Sequence, residues 1–357
     1  MKKIIAFRFA YPPGVNFGNC YDAPNPGDWG PVITEDDFKR AKEMGVGIIR
    51  LPVRWSTHMD GEGMIEGAFF KQIDWAIDRA QKYGFGIIVN DHHDEAFIAD
   101  PTGQKSRFLS MWHQIVDRYY TREETLVFEL LNEAAEAKIT VEGYNSLIAE
   151  ALESLCKIDS RHVFMIGGIN WNNLSGLQKL EIPIPYRHRV VLSWHNFEPQ
   201  LFTHQGTCKP NTEWGWSDPF HGTEGVSFPG PPESPIAPCF ASTEVPWCKA
   251  WFDGFNTVKG DANPASYAHF AGLFSTAKEQ LTRLDGCLGL SISEFGVYGH
   301  APQASSERWY RAFKENAEIY GFHWIAWQWR GNFEMIDPLG KPTYRAEILF
   351  LEPSFDT

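Results

Sequence analysis

The chain reads as an α/β protein: a (β/α)8 TIM barrel, a single domain over residues 1–357, with a long loop inserted after the sixth strand. Short apolar runs alternate with amphipathic segments of helical spacing, the rhythm of parallel βαβ units. The apolar runs also stop abruptly at polar residues, as barrel strands do where their carboxyl ends meet the functional loops. The 357 residues fit one barrel, and no Gly/Ser/Pro-rich linker divides them.

Taken in order, Pro13 to Asn19 reads as the first strand. Thr34 caps the first helix, with Glu35, Asp36 and Asp37 in its opening turn, and Gly45 stops it after Met44. Gly47 to Pro52 is the second strand. Phe69 to Tyr83 is a helix with Phe70, Ile73, Ala76, Ile77 and Ala80 on one face, ended by Gly84. Phe85 to Asn90 is the third strand, Phe108 to Tyr120 a helix, and the run from Leu126 the fourth strand. Val141 to Ile158 is a helix, His162 to Ile166 the fifth strand, and Val190 to Trp194 the sixth. Thr207 to Asn263, rich in Pro, Gly and Trp, reads as an irregular loop on the catalytic rim. A loop of that length inside a compact domain is usually functional. Ala265 to Leu284 is a long helix, Leu288 to Ser293 the seventh strand, Glu307 to Tyr320 a helix and Phe322 to Gln328 the eighth strand.

A net charge of −13 argues against nucleic acid or an anionic membrane as partner, since both select basic surface. No apolar stretch approaches the roughly 20 residues that span a bilayer. The start, MKKIIAFRFA, reads as a lead-in to the first strand because Arg8 interrupts its apolar run. Six cysteines are too few for a disulfide scaffold and lack the paired spacing of zinc sites, although Cys208, Cys239 and Cys248 share one segment where a local disulfide would fit. Fourteen tryptophans in an acidic chain are compatible with flat sugar faces as ligands, and equally with a Trp-rich core.

The stretch TLVFELLNEAAE, Thr125 to Glu136, is a buried strand that ends in Asn132-Glu133. The seventh strand ends the same way, in Glu294. A carboxylate at the end of a buried strand carries a desolvation cost of several kcal/mol unless something binds there. Glu129 and Glu136 read as solvated surface charges. Collecting the polar strand ends gives Asn19, Arg50, His92, His93, Asn132, Glu133, Trp171, His195, Glu294 and Trp327. There is no GxGxxG after a strand and no Walker-type loop, so no phosphate cradle.

In its motifs the chain resembles glycoside hydrolase family 5, the cellulases, mannanases and related retaining β-glycanases. GVNFGNCYDAPNPGDWG, IIRLPVRWSTH, NDHHDE, LLNEAAE, SWHNFEPQLFTHQG, ISEFG and WIAWQWRGNF occur in the family's order. The resemblance implies that Glu133 is the general acid/base and Glu294 the nucleophile, about 5–5.5 Å apart as retention requires. It implies a raised pKa for Glu133 from partial burial and the charge of Glu294, and an ionised Glu294 beside Arg50. Asn132 would bond the sugar 2-OH, Trp327 would stack at the cleavage point, and Trp171 is a candidate platform for the neighbouring unit. His92 and His93 would line the cleft, which needs a bend at the strand end because adjacent strand residues point to opposite faces. His195 would orient the substrate or the acid/base.

Two positions depart from the family pattern. Phe197 stands where a tyrosine usually donates to the nucleophile, leaving water or Tyr298 to replace it. Asp22 stands where relatives often carry Glu, still suited to a sugar hydroxyl at a distal subsite. The expectation is therefore a secreted-type retaining endo-β-1,4-glucanase, acting as a monomer on a polysaccharide or oligosaccharide without cofactor or metal. Mannan, xyloglucan, mixed-linkage glucan, exo action, cytoplasmic work on oligosaccharides and a non-catalytic sugar-binding barrel are the alternatives. A metal held by His92, His195 and a carboxylate is the competing chemistry.

Overall fold

A computed structural model describes residues 13–134, 139–207 and 219–353. The N-terminal lead-in, Glu136 and Cys208 lie outside these residues. Eight parallel strands close into a barrel in chain order: β1 (Gly14–Asn16), β2 (Ile48–Leu51), β3 (Gly86–Asn90), β4 (Leu126–Glu129), β5 (Val163–Gly167), β6 (Val190–Asn196), β7 (Gly289–Phe295) and β8 (His323–Ala326). The register sets Val15 beside Ile49, Ile49 beside Ile87 and Ile88 beside Val127. The barrel interior is filled by Ile48, Ile88, Val127, Val163, Met165, Val191, Leu288 and Ile325. It is a packed core of branched side chains, as expected of eight strands.

The local signals place most helices. The first runs Glu35–Glu43: Thr34 N–H donates to Asp37 Oδ2 (2.8 Å) and Asp37 N–H to Thr34 O (3.1 Å). Gly45 follows at φ +81°, the left-handed stop that glycine adopts without strain. Gly67–Lys82 is a helix close to the expected Phe69 to Tyr83, and Val141–Ile158 is one over the expected span.

Two expectations need correction. The helix before β4 begins at Pro101, not Phe108. Its first turns are polar and carry no periodic apolar signal, but Asp100 accepts from Gly103 N–H (2.9 Å) and Pro101 occupies the first helical position. The insertion is not irregular in its described part. It contains helices at Phe240–Glu244 and Pro246–Thr257. Pro246 starts the longer one, and Cys248, Phe252 and Phe255 bury one face. Among the described residues, Cys239 and Cys248 are not joined to each other in a disulfide.

The chain divides into two compact units. The first comprises residues 1–195, 279–293 and 323–326, and the second residues 196–278, 294–322 and 327–357. The first holds the barrel core. The second has an aromatic core of its own, in which Phe295 stacks on Phe313 (3.6 Å between centroids) and Trp309 leans on Phe270 (5.4 Å). Among the described residues, no helix is long and apolar enough to cross a membrane.

Candidate active site

In the first unit the site is built upward from a buried ion pair. Arg50, on β2, is fully buried and donates from Nε to Glu129 Oε2 (2.5 Å) and from Nη2 to Glu129 Oε1 (3.1 Å). Glu129 is not a solvated surface charge. It ends β4 with its side chain wholly excluded from water, where only a paired carboxylate is tolerable. Arg50 also donates from Nη1 to Asn16 Oδ1 (2.8 Å) and from Nη2 to Asn132 Oδ1 (2.7 Å). Asn16 in turn donates to Ser293 O (2.9 Å) and Ala326 O (3.2 Å), tying β1 to β7 and β8. The amide of Asn132 is thereby oriented, with its Nδ2 facing His92 Nε2 at 3.5 Å.

The tautomer of His92 follows from its neighbour. Asn90 Oδ1 accepts Val53 N–H (3.0 Å), so the Asn90 NH2 group faces His92 Nδ1 at 2.9 Å. The shorter contact makes Nδ1 the acceptor and leaves the hydrogen on Nε2, so the 3.5 Å approach of Asn132 Nδ2 is a contact between two N–H groups and not a hydrogen bond. Burial pushes His92 well below the ordinary histidine range, helped by His93 and Arg50, so the ring is neutral. The backbone turns left-handed at His93 (φ +56°), and the two imidazoles meet edge to face, 4.4 Å apart. This is the bend at the strand end that lets consecutive histidines share one side.

Asp22, His92 and His93 bring potential ligand atoms within 4.8 Å of one another. The donor set does not suit a cation. His92 Nδ1 is engaged by Asn90, and Nε2 presents a hydrogen where a metal would need a lone pair. Asp22 serves its own loop, accepting Asn19 N–H on Oδ2 (3.0 Å) and Cys20 N–H on Oδ1 (2.8 Å). Burial raises its pKa to about 6 against those hydrogen bonds. The loop holds Asn19 left-handed at φ +69°.

Glu133 follows β4, itself at φ +43°, with 23% of its side chain exposed. His195, on β6, places Nδ1 2.7 Å from Glu133 Oε1. Burial raises the Glu133 carboxyl to about 7; the positive charge of Arg50 pulls it down and the negative charge of Glu129 pushes it up. This carboxyl holds a proton near neutral pH, the condition for a general acid. Trp171, in the loop after β5, is 54% exposed with its backbone at φ +54°.

In the second unit Glu294 lies at the end of β7, 5% exposed. Trp327 directly follows β8, and its N–H donates to Phe295 O (2.9 Å). Phe197 follows β6 and packs edge-on against His204 (5.0 Å) and Phe333 (6.0 Å). Tyr298 lies against the same Phe333 (5.5 Å).

The sequence reading missed Asn16, Asn90 and Glu129, which orient the site from below. It also missed Gln328, 2% exposed with Oε1 unpartnered among the described residues. Asn16, Asn90 and Glu129 each close an apolar strand, a signal that was present but outweighed by the residues just beyond. The backbone carries a further signature. Every described non-glycine residue with positive φ, namely Asn19, His93, Glu133, Asn170, Trp171 and Asn172, lies in a loop just past a strand's carboxyl end. Such conformations cost about 1–3 kcal/mol each and gather where function demands a particular aim.

The cellulase model of glycosyl hydrolase family 5 matches residues 13–333, and the chain belongs to that family. It is 33% identical over 198 residues to endoglucanase H of Acetivibrio thermocellus, covering 54% of this chain and 21% of that one. It is 30% identical over 210 residues to endoglucanase C of the same organism, covering 54% and 59%. The chain thus spans less than two thirds of the length of either relative. The crystal structure of endoglucanase Cel5A from Thermotoga maritima superposes with a TM-score of 0.79 at 30% identity, covering 97% of each chain. That enzyme has also been solved with cellobiose and with mannotriose.

Proposed function

We propose that this protein is a retaining endo-β-1,4-glucanase working by double displacement. Glu294 attacks the anomeric carbon as a carboxylate while Glu133 gives its proton to the departing glycosidic oxygen. A glycosyl-enzyme ester forms and the C–O bond breaks. Water then attacks the same carbon, Glu133 takes back a proton, and the ester releases Glu294. The observation that carries this reading is the Glu133 carboxyl, raised to about 7 and hydrogen-bonded to His195 at the end of a barrel strand. Retention predicts a carboxyl separation of about 5–5.5 Å across one sugar ring.

Around this pair, Asn132 bonds the 2-OH, held for that task by Arg50. His92 offers Nε2–H to a sugar oxygen, with His93, Asn19 and Asp22 lining the same wall. Trp327 and Trp171 are stacking faces, and Phe197 borders the nucleophile's surroundings without a hydroxyl to offer. The protein acts as a monomer, outside the cell, and needs no cofactor for this chemistry.

The test is release of reducing ends from carboxymethyl-cellulose, β-mannan and xyloglucan, with Glu133→Gln and Glu294→Gln as controls and product anomers followed by proton NMR. Retained β-anomers from carboxymethyl-cellulose, lost in both controls, support the reading. Inverted products, or controls as active as the parent, overturn it. Activity on β-mannan is the second reading, favoured by the mannotriose complex of the Thermotoga relative. If no polymer is cleaved, the chain is a sugar-binding barrel.

A further inference from the structure

The loop after β5 makes three consecutive left-handed residues, none of them glycine: Asn170 (φ +60°), Trp171 (φ +54°) and Asn172 (φ +51°). The turn is tied at both ends to the pair discussed above. Trp171 N–H reaches Ala134 O (3.4 Å), the carbonyl directly after Glu133. Asn172 O accepts His195 N–H (2.8 Å). The Asn172 side chain is fully buried, yet neither its Oδ1 nor its Nδ2 has a partner among the described residues. Hydrogen bonding by the side chain therefore does not account for an asparagine here. Tolerance of the left-handed conformation does, since asparagine adopts it far more readily than most residues.

Gly167, the last residue of β5, gives the turn its seat. Its φ is not in the left-handed region, so the backbone does not require glycine there. Space does: a Cβ on Gly167 would lie 2.4 Å from Asn172 Cγ, 2.4 Å from Nδ2 and 2.5 Å from Oδ1, and its three nearest neighbours are all atoms of that one side chain. Tyr144 Oη holds the Gly167 carbonyl (2.7 Å) from the helix behind, so the strand end is not free to retreat.

We propose that Asn172 is a positioning residue: the left-handed turn Asn170–Asn172, seated on the bare face of Gly167, fixes His195 through its backbone and, through His195, the carboxyl of Glu133. The same turn displays Trp171, so a sugar stacked on that indole bears directly on the loop that aims the acid/base. This inference rests on the reading of Glu133 as the acid/base. A displacement of the order of 1 Å at such a group costs about 100-fold in rate.

The test is a cycle of Gly167→Ala, Asn172→Gly and the double variant, each checked for native thermal unfolding. Gly167→Ala alone should lower kcat about 100-fold with KM nearly unchanged, and should move the alkaline limb of its pH profile. Asn172→Gly, which keeps the left-handed backbone, should lose less than about tenfold. The double variant should recover to the Asn172→Gly level, because the atoms that the new methyl strikes are gone. A double variant as impaired as Gly167→Ala, or a Gly167→Ala enzyme with unaltered kcat and pH profile, overturns the proposal. Should Gly167→Ala fail to fold, Asn172→Val serves instead: it disfavours positive φ, so it must lose far more kcat than Asn172→Gly, and equal losses sink the idea. Nitrogen NMR of the His195 ring during a pH titration separates the two readings. An altered His195–Glu133 titration in Gly167→Ala supports the positioning role even where the parent cleaves no glycan, and an unaltered one refutes it.

Discussion

Arg50 and Glu129 meet through two hydrogen bonds, Nε to Oε2 at 2.5 Å and Nη2 to Oε1 at 3.1 Å, with neither side chain exposed. Breaking such a pair from one side leaves a buried charge without compensation, at a cost of about 3–5 kcal/mol. Glu129→Ala is therefore expected to lower stability by that amount, read from denaturant unfolding at neutral pH. Glu129→Gln should cost less, since the amide oxygen still accepts one bond from the guanidinium. Because Arg50 also orients Asn132, both variants should lose kcat beyond what their stability explains. If Glu129→Ala unfolds at the parent's denaturant midpoint, the pair is not the foundation of the site.

The Glu133 carboxyl gives the pH dependence a sign. Burial raises it to about 7, and the proposed mechanism consumes its protonated form, so kcat/KM should fall as pH rises through about 7. Glu129 contributes to the raised value by its negative charge. Glu129→Gln removes that charge, which lowers the Glu133 pKa and brings the alkaline limb to lower pH. A profile flat between pH 6 and pH 9 in the parent, or an alkaline limb that moves upward in Glu129→Gln, would contradict this account.

What could be read from the chain divides along physical lines. The order of the eight strands was legible because burial writes short apolar runs into sequence, while their ends moved by up to three residues. Thr34 with its following acids and Gly45 announced a helix and its stop for the same local reasons. Glu129 was misread because its partner, Arg50, lies 79 positions away and nothing local marks the pairing. The helix beginning at Pro101 was truncated because capping, not apolar periodicity, determines its first two turns. The Pro246–Thr257 helix hid in a segment whose prolines and glycines signal loop, although Cys248, Phe252 and Phe255 have helical spacing. The left-handed turn at Asn170–Asn172 had no sequence signal beyond its asparagines, since its backbone partners, Ala134 and His195, lie far along the chain.

Asp91 is a liability that pH should expose. It is fully buried, and neither carboxylate oxygen has a partner among the described residues. Desolvation holds its pKa well above the usual range; Asp94 and Glu95 add to the rise, while Arg107 opposes it. A raised folded pKa means that the folded state binds the proton more tightly than the unfolded chain. The stability is then complete below about pH 4 and is lost as pH climbs through the folded pKa. Asp91→Asn should flatten this decline, and Asp91→Leu should raise stability at pH 8 by about 1–3 kcal/mol by removing the unpaired polar group. Thermal unfolding at pH 5 and pH 8 decides it: a parent that is equally stable at both, after the other titrating groups are matched by the Asp91→Asn reference, removes the argument.

Phe197 bears on the proposed nucleophile, Glu294. Its ring lies edge-on to His204 and Phe333 and carries no hydroxyl. A hydrogen bond to a charged acceptor contributes about 1.5–3 kcal/mol, which corresponds to a pKa change of about one to two units in the group that accepts it. A tyrosine donating to Glu294 would stabilise its carboxylate, so Phe197→Tyr should move the acid limb of kcat/KM to lower pH and raise the rate on the acid side. Tyr298 packs on the same Phe333, and the proposal to be tested is that its hydroxyl serves Glu294 instead. Tyr298→Phe should then move the acid limb the other way, and the two substitutions combined should return it toward the parent. If Phe197→Tyr leaves the acid limb in place while Tyr298→Phe shifts it upward, Tyr298 already fills the role alone. If neither variant moves the limb, the nucleophile draws its acidity from neither ring.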